Sequence, residues 1–358
     1  MRILNVIRRW EPIPRNQMAQ MTGLSPSTVT NIVRELLEEG LVEETEPAPT
    51  GQVGRDPIGV QLNPKARSSI GIQVSDTRLT AVLLDFRGKV LRRIERELRD
   101  QSQAPPSPPE LVIRIASLVN EMQDPSIPLL GVGVAVAGMV QRSRGVVFAP
   151  NLHASRFPLA KHLESLLDVP VFVENEVNTM LLAEHTYGVA QGWQNVLGVN
   201  VGLGIGGGII MDGKLQTGSS GAAGEIGHMI VERDGPLCTC GRRGCLETLA
   251  GGKALIDPED GESVDPQRLQ RATTYLAIGI ANAVNILNPE MVVIGGTHCH
   301  RFSVAEPAFR DLVASYLLPI NQDVIIEPVS LPDAEAVGAA ALVLNDYFQP
   351  AGVSAPLA

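Results

Sequence analysis

Three of the chain's four cysteines fall within eight positions, as Cys238-Thr-Cys240-Gly-Arg-Arg-Gly-Cys245, and His228 stands ten residues upstream of Cys238. No other feature restricts the fold as much. Three thiolates and one imidazole at this spacing can surround one tetrahedral ion, and the fold must then hold all four together. Gly241 and Gly244 permit the tight turn that points the sulfurs inward. Four protein ligands leave no open position, so the expected cofactor is a structural Zn2+, one per chain, with no chemistry of its own. Buried free thiols are a poorer account of so dense a block. Cys299, flanked by His298 and His300, lacks further ligands nearby and reads as packing. Metal spacing in place of a disulfide framework fits a reducing cytoplasm.

The N-terminal residues read as a separate small module. Residues 1–34 carry five Arg against one Glu, and acids cluster from Glu35 to Glu46, while the chain as a whole has net charge −10. That charge disfavours nucleic-acid binding over the whole surface but not by a local basic edge. Ile3, Val6, Ile7 and Trp10 have helical spacing, Pro12 and Pro14 interrupt, and Arg15 to Met21 forms a short second helix. Ser25 is a good N-cap, Pro26 suits the first helical position, and Gly40 suits the residue past the end. Between them Val29, Ile32, Val33, Leu36 and Leu37 form an apolar stripe. A Pro/Gly-rich stretch then interrupts two strand-like pieces ending at Leu62. Helix, short helix, turn, longer helix and hairpin make a winged helix-turn-helix.

Ser27, Thr28, Asn31 and Arg34 lie opposite the apolar stripe of the third helix. Small hydroxyls, an amide and a guanidinium can meet base edges and phosphates, so these four are the candidate DNA contacts. A solvated helix face in a protein–protein adaptor is the bland alternative. Arg55, beside Gly54 in the wing, is a candidate for minor-groove insertion or a plain surface Arg.

From Ser69 onward, strand-like runs (Ile70–Val74, Leu79–Asp85, Leu130–Val136, Val171–Val173, Val196–Val201, Gly208–Met211, Met291–Ile294) alternate with helical patterns at Leu111–Gln123, Val177–Tyr187 and Leu269–Leu287. Alternation of this kind argues an α/β body. The longest apolar stretch, Ile127 to Val140, contains Pro128 and several glycines and is too short to span a bilayer. No secretory signal is visible, and a cytoplasmic protein without membrane partners is expected.

Gly224-Glu225-x-Gly227-His228, followed by the cysteine block and Leu246-Glu247, resembles the signature of the ROK family, named for repressors, open reading frames and sugar kinases. The winged helix is similar to that of its repressor branch. The resemblance implies a two-lobed actin-like (ribonuclease H-like) body: residues 1–67 as DNA-binding domain and linker, 68–186 as first lobe completed by the C-terminal helix 334–348, and 187–333 as second lobe with the zinc loop. It implies sugar contacts at Asn151, Asn175, Glu176, Glu225, His228 and Glu247, with Glu176 at the position of the kinase general base. Carboxylates and amides suit the fixed hydroxyls of a sugar, and one nitrogen of His228 can ligate zinc while the other meets a hydroxyl. Asn175 and Glu176 also read as a helix N-terminal cap pair.

The phosphate loops bear on catalysis. Where ROK kinases open with Asp-x-Gly-Gly-Thr-Lys, this chain has Gln73-Val-Ser75-Asp76-Thr-Arg78. Asp76 adds negative charge where a triphosphate would sit. The second loop, Gly202-Leu203-Gly204-Ile205-Gly206, keeps its glycines but has Leu203 where the kinases place Thr. The expectation is a sugar-responsive repressor of carbohydrate genes, not an enzyme. It would bind double-stranded operator DNA as a homodimer or homotetramer and a monosaccharide effector without phosphorylating it. The alternative is an ATP-dependent sugar kinase with a fused DNA-binding domain.

Overall fold

In the computed structural model of the chain, described for residues 1–46, 57–98, 104–141, 145–149, 154–255 and 265–349, the N-terminus folds as three helices and a small sheet. The helices are α1 (Arg2–Trp10), α2 (Arg15–Thr22) and α3 (Pro26–Glu38). Strands β1 (Ile13–Pro14), β2 (Val42–Glu44) and β3 (Gly59–Leu62) pair antiparallel in the order β1-β3-β2. The start of α3 is the one its sequence predicts: Ser25 Oγ accepts from Thr28 N at 3.1 Å, and Pro26 opens the first turn. Past its end, Gly40 sits at φ +67°, where a Cβ would be strained. Val29 and Val33 are fully buried.

The stripe on α1 differs from the spacing argument. Ile3, Leu4 and Ile7 are buried, while Trp10 is 54% exposed. At about 100° per residue the inner face centres between Ile3 and Leu4. Trp10 lies in the last turn, off that centre.

The body runs β4 (Ser68–Val74), β5 (Arg78–Asp85), β6 (Val90–Glu97), α4 (Pro108–Met122), β7 (Leu129–Val136), β8 (Met139–Gln141), β9 (Val146–Ala149), β10 (Ala154–Phe157) and α5 (Leu159–Leu167). It continues with β11 (Val171–Asn175), α6 (Glu176–Tyr187), β12 (Val196–Val201), β13 (Ile205–Met211), β14 (Lys214–Leu215), α7 (Leu246–Ala250) and α8 (Gly252–Leu255). Last come α9 (Pro266–Leu287), β15 (Met291–Gly295), α10 (Pro307–Ala314), β16 (Ile325–Pro328) and α11 (Ala334–Phe348). The chain divides into two compact units: residues 1–136, 142–173 and 339 onward, and residues 137–141 with 174–338.

The first unit holds a five-stranded sheet in the order β11-β7-β4-β5-β6. β4 is antiparallel to β5 and parallel to β7, so the connection from β6 to β7 through α4 is a crossover. α11 lies against β7 so closely that a Cβ on Gly133 would come within 1.8 Å of the Ala339 carbonyl oxygen. The second unit holds the five-stranded sheet β14-β13-β12-β15-β16. Its core gathers Leu197, Val199 and Val201 of β12, Leu276 and Ile280 of α9, and Val292 and Ile294 of β15, all fully buried. Among the described residues no helix is long and apolar enough to cross a membrane.

Candidate functional site

The metal-type cluster forms in the second unit. Ligand atoms of His228, Cys238, Cys240 and Cys245 all lie within 4.8 Å of one another. Two short bridges, Ile230 with Cys245 and Leu237 with Arg243, fold the segment back on itself. Gly241 and Gly244 take φ +85° and +71°, as the turn requires. Cys240 Sγ and Cys245 Sγ are 3.6 Å apart, and Cys238 Sγ is 3.6 Å from His228 Nδ1. A tetrahedron with metal–sulfur bonds of about 2.3 Å has edges of about 3.8 Å, so the donor set fits such an ion.

The thiols differ in acidity. Burial, and then the Glu247 carboxylate, push Cys238 up to about 12. The hydrogen bond from the Arg242 backbone amide brings Cys240 down to about 7. Burial also raises Cys245. A bound dication would reverse the penalty on the two buried thiols, because it supplies the opposite charge they lack.

The predicted hydroxyl-binding residues meet on the same loop system. Glu225 precedes a short 3-10 turn, Ile226–His228, and Glu247 lies in the first turn of α7. His228 Nδ1 is 3.5 Å from Glu247 Oε1, and His228 Nε2 is 3.8 Å from Glu225 Oε2. The side chains of Glu225, His228 and Glu247 are 38%, 33% and 20% exposed, so solvent reaches all three. Burial raises the Glu225 carboxyl above its ordinary range; nearby His228 opposes the rise and Glu247 adds to it. Gly204 allows the approach of Glu247, since a Cβ there would meet Glu247 Oε2 at 2.7 Å.

Asn175 and Glu176 stand at the start of α6. Asn175 is its N-cap: Oδ1 accepts from Val177 N at 2.8 Å and Asn178 N at 3.2 Å, while Nδ2 donates to the Gly138 carbonyl at 2.9 Å. The capping role offered by the sequence is therefore present, whatever else the amide does. Glu176 Oε1 lies 3.5 Å from Asn200 Nδ2. In the sequence Asn200 is one polar residue in an apolar strand, with no local signal of a site; it is 8% exposed. Asn151 lies outside the described residues.

Both loops that would face nucleotide are bonded internally. Ser75 N donates to the Arg78 carbonyl at 2.9 Å, and Arg78 N donates to Ser75 Oγ at 3.0 Å. The backbone amides of Ser75 and Arg78 are thus engaged within the β4–β5 turn. In the second loop Gly202 N donates to the Gly204 carbonyl at 3.0 Å, and Leu203 is 41% exposed.

On the N-terminal module, Ser27, Thr28, Asn31 and Arg34 are all exposed on α3, opposite buried Val29 and Val33. Arg34 Nη2 reaches Asn31 Oδ1 at 3.4 Å. Arg55 lies outside the described residues.

Comparison with known proteins agrees with this geometry. Residues 69–346 match the ROK family, and residues 1–43 match a winged helix-turn-helix DNA-binding domain. The xylose repressor of Bacillus spizizenii is 30% identical over 366 residues, spanning 97% of this chain and 94% of its own. A ROK family transcriptional regulator, a homolog of the E. coli MLC protein, shares the fold over 96% of this chain and 94% of its own, with TM-score 0.81 and 24% identity. A ROK family glucokinase from Streptomyces griseus, solved with glucose and AMPPNP, matches 77% of this chain and 98% of its own, with TM-score 0.67 and 27% identity. Kinases therefore stand beside repressors among proteins of this fold. With a winged helix-turn-helix ahead of an actin-like body, the chain belongs to the ROK family.

Proposed function

We propose that this chain is a sugar-responsive transcriptional repressor whose body binds a monosaccharide and does not phosphorylate it. One observation carries the reading: the amides of Ser75, Arg78 and Gly202 are engaged within their own loops, while Glu225, His228 and Glu247 converge and remain open to solvent. Hydroxyls need acceptors and donors at fixed spacing, and this trio offers both. Transfer of a phosphoryl group needs backbone amides and a metal-side carboxylate; here stand a closed turn and Gln73.

In this reading residues 1–67 bind operator DNA, and residues 68–348 form the two lobes of the body, the second taking in Glu174–Gly338. Ser27, Thr28, Asn31 and Arg34 face the major groove, and Arg55 serves the wing. The effector contacts are Asn151, Asn175, Glu176, Glu225, His228 and Glu247. One structural zinc is held by His228, Cys238, Cys240 and Cys245. One recognition helix reads few base pairs, so the protein acts on a two-fold operator as a homodimer or a homotetramer, in the cytoplasm.

The test is a titration of the full-length protein with D-xylose, D-glucose and N-acetyl-D-glucosamine, followed by ATP turnover with each. Binding without turnover supports the repressor. Sugar-dependent turnover on the order of 1 per second or more establishes the kinase instead.

A further inference from the structure

The helix that opens the DNA-binding module uses its polar face outside that module. Ile3, Leu4 and Ile7 of α1 are buried, and α1 packs on α2, α3 and β3. Asn5 and Arg8, three residues apart and so on one face, instead meet the last turns of α11. Asn5 Nδ2 donates to the Phe348 carbonyl at 2.7 Å, and Arg8 Nη2 donates to Asn345 Oδ1 at 2.7 Å. The Arg8 guanidinium also lies 4.4 Å from the Phe348 ring centroid. Phe348 is 2% exposed and stacks on Phe86 at 5.1 Å. A second tether follows α1: Glu11 Oε1 accepts from Arg87 Nε at 2.6 Å, and its Oε2 accepts from Leu62 N at 2.5 Å.

The start of α11 is fixed to α6. A Cβ on Gly338 would meet the Thr179 carbonyl oxygen at 1.7 Å, so the two helices touch backbone to backbone. Fully buried Glu184, near the end of α6, accepts from Ser330 N, Ser330 Oγ and Leu331 N at 2.7–2.8 Å, just ahead of α11. The same α6 begins with Glu176 and its cap Asn175.

We propose that α11 transmits the effector state to the operator-binding module, and that Asn5, Arg8, Asn345 and Phe348 form the regulated joint; this rests on the sugar-responsive reading above. A permanent seam inside one chain is sealed by apolar area. Here the contacts at α11 are polar, made by the Asn5 and Asn345 amides and the Arg8 guanidinium, with the Glu11–Arg87 ion pair beside them. Such bonds weaken steeply with misalignment, so a small shift or turn of α11 releases them. Because α1 packs on α3, its release carries the recognition helix with it.

The experiment measures operator affinity of the full-length protein with and without saturating sugar, using whichever of D-xylose, D-glucose and N-acetyl-D-glucosamine binds. Arg8→Ala, Asn345→Ala and the double variant are compared with the native chain. A native response of ~5–150-fold is expected. Each single variant should bring it to within about twofold of none, and the double should do no more than either single, because both remove one contact. Sugar affinity should stay within about twofold. Asn345→Asp, which still pairs with Arg8, should keep the response and so excludes a merely misfolded C-terminus. A double variant that responds like the native chain overturns the joint. A native chain that binds sugar yet shows no change in operator affinity overturns the repressor reading, and the joint with it.

Discussion

Glu247 Oε1 lies 2.9 Å from Cys238 Sγ, so the metal-type cluster and a candidate hydroxyl-binding group form one structural unit. His228 belongs to both, with Nδ1 facing Cys238 and Nε2 facing Glu225. Disturbing the cluster should therefore disturb the effector site.

Metal analysis of purified, reduced protein should find close to one zinc per chain. Cys245→Ala should lose that metal and weaken sugar binding by about tenfold or more, as losses of groups that orient a site do. A metal content near zero in protein never exposed to a chelator would remove the zinc assignment.

On the DNA side, Asn31→Ala combined with Arg34→Ala should abolish discrimination of the operator. Each good base contact is worth ~1–3 kcal/mol, so losing two costs tens-fold or more in specific affinity. The body should melt unchanged, because both side chains are exposed and Arg34 pairs with Asn31 and Glu38 within α3 itself. Native-like operator affinity would show that α3 presents another face.

Glu335, in the first turn of α11, supplies a pH test of the body. Burial raises its carboxyl above the ordinary range; a hydrogen bond from its own backbone amide opposes the rise and Asp333 adds to it. The folded state then holds the proton more tightly than the unfolded chain does. The resulting cost to stability is absent below the ordinary carboxylate range and fully present above the raised value. Glu335→Gln removes the charge, so it should melt above the native protein near pH 8 and lose that advantage toward pH 4. A melting difference independent of pH would contradict the assignment.

Local chemistry was readable where it has a local signature. Ser25, Pro26 and Gly40 bracket α3, and the cysteine block announces its own cluster. β6 escaped, because Arg92, Arg93, Glu95, Arg96 and Glu97 erase any apolar alternation; it is an edge strand paired only to β5, where charge is useful. Amphipathic α5 and α10 escaped as well, being only nine and eight residues long. Asn200 meets Glu176 only once β12 lies beside α6. The Arg8–Asn345 contact joins residues 337 positions apart, a separation at which no periodicity or spacing rule operates.

Sugar occupancy is expected to change operator binding through the Glu225–His228–Glu247 site. The most direct measurement is operator affinity at fixed salt, with and without saturating sugar, for the native chain and for Glu225→Gln. The native protein should change by ~5–150-fold and the variant almost not at all, with equal sugar-free affinity in both. An equal sugar response in the native chain and in Glu225→Gln would contradict it.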